Sequence, residues 1–162
     1  MDIQISEDRI RGWLDTDLID SVERLSDSAA EFNILLEMSG LEIHVLRRRP
    51  DGPILVGQEI EYDEGIQNQI RGLSQMNRDE AVARIRETLT SVPVIYGFTN
   101  AEGENVPFEQ MGRIFLESRI YPDQLSQGLL MERLLDIWKV MRYLDDLPRL
   151  LASIKGRSLS HD

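Results

Sequence analysis

A chain of 162 residues with 41% hydrophobic residues has the size of one ordinary domain, and its 29% charged residues do not make it a disordered polyelectrolyte. Twenty-nine acidic against 18 basic residues leave a formal net charge of −11, which repels duplex DNA and anionic membranes. With no cysteine, disulfides, zinc–thiolate sites and thiol nucleophiles are excluded.

The chain opens on MDIQISEDRI, which is acidic and has no apolar core of the signal-peptide kind. Ser6 can cap a first helix, with Glu7 and Asp8 in the turn where the helix dipole favours anions. Ile10, Trp13 and Leu14 then share a face; Leu18, Ile19 and Val22 either extend it or begin a loop. In EFNILLEMSG, Phe32, Ile34 and Leu36 alternate with Asn33, Leu35 and Glu37, which predicts a half-buried strand ended by Gly40. LEIHVLRRR follows with Ile43 and Val45 on one face and Glu42 and His44 on the other. The Pro50-Asp51-Gly52 turn, where Pro50 fixes φ and Gly52 permits a positive one, leads into a third strand through Ile54 and Val56 toward Ile60 and Tyr62. Three strands joined by short turns read as an antiparallel meander.

The period then lengthens. Ile66, Ile70 and Leu73 fall at helical spacing, and a second stripe of Val82, Ile85 and Leu89 follows Asn77, whose spacing to Glu80 is that of a capping box. The two pieces read as one kinked helix or two. After Pro93 come a strand through VIYGF, a loop with Glu102-Gly103, and a strand around Ile114, Phe115, Leu116 and Ile120. A long helix capped by Asp123 or Ser126 carries Leu130, Leu134, Ile137, Trp138, Met141 and Leu144, and Pro148 ends or bends it. The predicted fold is α+β, an antiparallel sheet packed by helices in the order α-βββ-α-ββ-α. Residues 1–155 form a single domain, and residues 156–162, with His161, form a flexible polar tail.

The segments RIYPDQLSQGLLMERLLDIWKV and FNILLEMSGLEIHVLRR, in this element order, resemble an archaeal family of uncharacterised proteins with the fold of type III secretion chaperones. The spacing of Ile120, Tyr121, Asp123, Leu125, Leu130 and Met131 carries the likeness best, and it spans about Ser6 to about Leu147. The resemblance implies a secretion-chaperone-like fold and no catalytic motif. It also implies the habit of such chaperones, which are small acidic homodimers holding unfolded segments of other proteins on apolar patches.

The residues themselves offer three candidate surfaces. Arg47, Arg48 and Arg49 are a candidate anion contact, although strand alternation puts at most two on one face and the hairpin position favours a solvated strand end. Glu59, Glu61, Asp63 and Glu64 form an acidic run that could serve a carboxylate-dependent metal-binding protein or enzyme, but their spacing matches no ligand loop. The apolar surplus of the last helix, Met131, Leu135, Val140, Leu150, Leu151 and Ile154, is a candidate protein interface. His44 has no nucleophile or acid at a catalytic spacing, and GxSxG, P-loop and GxGxxG motifs are absent.

The expectation is therefore a non-enzymatic protein-binding module, chaperone-like and homodimeric, needing neither cofactor nor metal. Its alternatives are the carboxylate-dependent reading and weak anion or nucleic-acid binding at the arginine hairpin. No apolar run approaches the roughly 20 residues of a membrane span, so a cytoplasmic protein is expected. Only Lys139 and Lys155 are lysines. Few lysines and many carboxylates fit adaptation to high salt, where a Debye length of about 3 Å at 1 M screens self-repulsion.

Overall fold

The computed structural model describes residues 5–159; His161 and the rest of the last three residues lie outside the described residues. Ser6 caps α1 (Glu7–Trp13), its Oγ accepting from the Arg9 N–H at 3.1 Å. The helix stops because Leu14 turns extended and sends its own N–H back to Arg11. Val22 therefore belongs to neither alternative offered by the sequence. It lies in a short strand, β1 (Ser21–Arg24), which adds a fourth member to the first run of strands.

The meander follows as β2 (Phe32–Met38), β3 (Leu41–Arg47) and β4 (Ile54–Glu61). Ser39 and Gly40 alone connect β2 to β3, at φ +46° and +81°, and Met38 pairs with Leu41. A two-residue turn with both central residues at positive φ matches the twist of the strands it joins. In the next turn Gly52 does not use the positive φ open to it: its N–H donates to Arg49 O at 3.0 Å and it is buried.

The middle helix is two helices, α2 (Glu64–Arg71) and α3 (Gln75–Thr90). Ser74, not Asn77, caps the second, its Oγ accepting from the Asn77 N–H at 3.2 Å. Asn77 sits inside the helix and is buried. The chain continues as β5 (Ile95–Thr99), a 3₁₀ turn (Phe108–Gln110), β6 (Arg113–Ile120), α4 (Gln127–Asp145) and α5 (Leu147–Leu159). Ser126 makes the capping bond expected of it, to the Leu129 N–H at 3.1 Å. Pro148 stands in the first turn of α5, where a missing N–H is no loss. Helix continues through Leu159, so the residues expected to begin a tail at 156 are helical, and Arg157 pairs with Glu80 at 2.7 Å.

The fold is α+β, with a six-stranded antiparallel sheet in the order β1-β2-β3-β4-β6-β5. Cα proximity divides the chain into two compact units. The first comprises residues 1–58 and 117–138, the second residues 59–116 and 139–162, and β4, β6 and α4 contribute residues to both. In the first unit Ile10, Ile34, Leu36, Ile43, Val45, Leu130, Leu134 and Ile137 are fully buried. In the second, Ile70, Ile85, Leu89, Ile114, Leu116, Leu144, Leu147 and Ile154 play that part.

Candidate protein-binding surfaces

The three hairpin arginines do not form a patch. Arg47 is 7% exposed, with Nε donating to Gly52 O at 3.1 Å and Nη1 to Ile5 O at 3.3 Å. Register explains it: Arg47 pairs with Phe32 and so shares the inner face with Ile43 and Val45. One cation holds both the hairpin tip and the segment before α1. Arg48 and Arg49 are exposed. The expected solvated strand end is therefore correct for two of the three, and Arg47 is internal because its guanidinium finds carbonyl acceptors where it is buried.

The acidic run is also divided. Glu59 and Glu61 flank Arg113 at 3.9 and 3.8 Å, as alternation on one strand face allows. Asp63 caps α2, accepting from the Ile66 N–H at 2.9 Å, and Glu64 lies in its first turn. Among the described residues no group of three or more His, Asp or Glu side chains could hold a metal ion. In the first unit, Glu117 of β6 is buried and accepts from Arg119 Nε at 2.7 Å, raising the guanidinium above its ordinary value by hydrogen bond and charge.

The six apolar candidates separate by burial. Val140, Leu151 and Ile154 are 1–2% exposed and belong to the core, which corrects their assignment to an interface. Met131, Leu135 and Leu150 are half-buried. Sequence periodicity could not separate these sets, because an apolar stripe wider than one face is filled from whichever side a neighbour happens to stand. Met131 and Leu135 continue to the half-buried Trp138 at i, i+4 and i+7, so the three form one strip beside the buried Leu130–Leu134–Ile137 row. Trp138 is fixed in the strip by its Nε1–H, which donates to Met38 O at 2.9 Å.

The sequence did not single out the second surface. Along β2 and β3 the inner residues except Leu41 are buried, while Asn33, Leu35 and Glu37 and, across from them, His44 and Leu46 are half-buried and Glu42 is exposed. Such alternation marks an inner face against the core and an outer face left open. On that outer face His44 Nδ1 lies 3.2 Å from Asn33 Oδ1. The two-residue turn was the available signal: once Ser39 and Gly40 are its whole length, Glu37 must face Glu42.

No helix among the described residues is long and apolar enough to cross a membrane. No curated protein matches the chain. The crystal structure of an uncharacterized protein from Methanothermobacter thermautotrophicus aligns with 94% of this chain and 99% of that chain, at a TM-score of 0.69 and 20% identity. At that identity the likeness shows a shared fold. The model of the uncharacterized conserved protein family DUF2299 matches residues 6–147, which is most of the chain, and the chain belongs to that family.

Proposed function

We propose that the chain is a non-enzymatic protein-binding module that acts as a homodimer, in the manner of a holding chaperone, in a high-salt cytoplasm. The observation that carries this reading is the Met131–Leu135–Trp138 strip on α4, apolar along about two turns and left partly exposed by its own chain. An apolar strip on a strongly acidic protein costs solubility unless something covers it, and methionine and tryptophan are favoured where the cover is another protein. The chaperone-like part rests on the resemblance in element order and on the acidic composition. Light scattering at micromolar concentration tests the dimer. The native chain is expected at twice its 18.7 kDa mass, and Leu135→Glu at the monomer mass with its melting temperature kept. A monomeric native chain counts against self-association. Suppression of aggregation of a denatured test protein examines holding activity, and a native chain that leaves aggregation unchanged counts against that part.

A further inference from the structure

The open face in the first unit is ordered by charge. Three rows of side chains cross it. The row nearest the Ser39–Gly40 turn is Ser21, Glu37 and Glu42; the next is Glu23, Leu35, His44 and Gly57; the third is Asn33, Leu46 and Leu55. Glu37 and Glu42 thus occupy one end, Glu23 and Leu35 share the middle, and Leu46 lies at the other end next to the buried Leu55. Glu37 and Glu42 stand directly opposite each other, and Glu23 is one diagonal step from Glu37. Like charges in that position destabilise a sheet, and a cation on a neighbouring strand commonly offsets them. Here none does: among the described residues the carboxylates of Glu23, Glu37 and Glu42 have no ion-pair partner. Arg24, the nearest cation in sequence, pairs with Ile34 of the inner face and turns to Glu7 at 3.5 Å.

We propose that this face docks a short basic segment of a partner protein. Its lysine or arginine side chains meet Glu23, Glu37 and Glu42, and its apolar side chains lie over Leu35 and Leu46, beside the buried Leu55. Charge selects this occupant. A second copy of the chain brings another net charge of −11, and nucleic acid brings phosphates to the same carboxylates. The surface is distinct from the α4 strip, so it does not stand or fall with the dimer.

The test is fluorescence anisotropy of the full chain with a labelled ten-residue peptide of alternating leucine and lysine, together with the melting temperature of each variant. Saturable binding is expected, weakening as salt is raised. Glu37→Gln with Glu42→Gln is expected to weaken it roughly five- to tenfold, the scale of two exposed charge pairs, with the melting temperature kept or raised. Glu102→Gln with Glu104→Gln removes the same charge from an exposed loop and is expected to change affinity less than twofold. Equal weakening by both double variants would mean attraction to bulk acidity and overturn the proposal. Absence of saturable binding overturns it as well. So does a dimer of the free chain that dissociates on Leu46→Lys, since a second copy then covers the face.

Discussion

At the scale of single residues, two buried polar side chains connect segments distant in sequence. Arg47 bonds Ile5 and Gly52 at once, and its removal leaves two carbonyls without their donor. Arg47→Ala is expected to cost about 2–3 kcal/mol, since hydrogen bonds to charged groups exceed neutral ones. Arg48→Ala is expected to stay within about 0.5 kcal/mol as an exposed substitution. Urea denaturation of the two variants checks both. Tyr62 is the second: its hydroxyl donates to Leu144 O at 2.9 Å, satisfying one of the carbonyls left open at the end of α4. Burial, and then the charge of Asp145, pushes its phenol well above the ordinary 10.0. The folded state therefore favours the protonated form. Its stabilising share is complete below pH 10 and is lost as pH rises beyond that value. A urea midpoint that falls above pH 10 is expected, with a shallower fall in Tyr62→Phe. At neutral pH that variant loses about 1 kcal/mol with its hydrogen bond.

At the scale of elements, the β2–β3 turn decides which side chains reach which face. Ser39 at φ +46° bears the strain that an L side chain meets there, whereas Gly40 at +81° does not. Ser39→Asn is expected to raise the melting temperature by a degree or more, because Asn before Gly is the favoured pair in such a turn. Gly40→Ala is expected to lower stability by about 1–2 kcal/mol, the cost of a methyl group in the left-handed region. Thermal melts followed by circular dichroism give both signs. The helices were legible where their capping chemistry was local: Ser6 and Ser126 cap as their spacing predicts. Asn77 misled, since the capping-box spacing to Glu80 recurs by chance inside α3, and Ser74 already supplied the oxygen. The edge strand β1 was not legible. Its four residues, of which only Val22 is even half-buried, have too little periodicity to announce themselves, and only pairing with β2 defines them.

At the scale of the whole molecule, charge dominates. A net charge of −11 with only two lysines sets a self-repulsion that salt relieves. The melting temperature is expected to climb between about 0.05 and 1 M salt, as the Debye length falls from above 10 Å to about 3 Å. Near-UV circular dichroism is expected to weaken on dilution to low salt. Calorimetry across the series decides the matter, and a melting temperature independent of salt would sink the high-salt reading. The same dependence bears on the basic segment proposed for the open face, whose affinity is expected to fall as the stability of its host rises.

The sequence by itself determined the class of the fold and the order of its elements apart from β1, the acidity and the absence of thiol chemistry. Each of these follows from local periodicity or from counting. Only the tertiary structure decided which apolar residues of the last helices are core and which are surface. Burial depends on neighbours supplied by distant segments, so Val140, Leu151 and Ile154 vanish into the interior while Met131 and Leu135 do not. It also decided that Arg47 is an internal tie and that Glu37 and Glu42 confront each other. Strand register, set by a two-residue turn, places side chains across from one another that stand five positions apart in the chain.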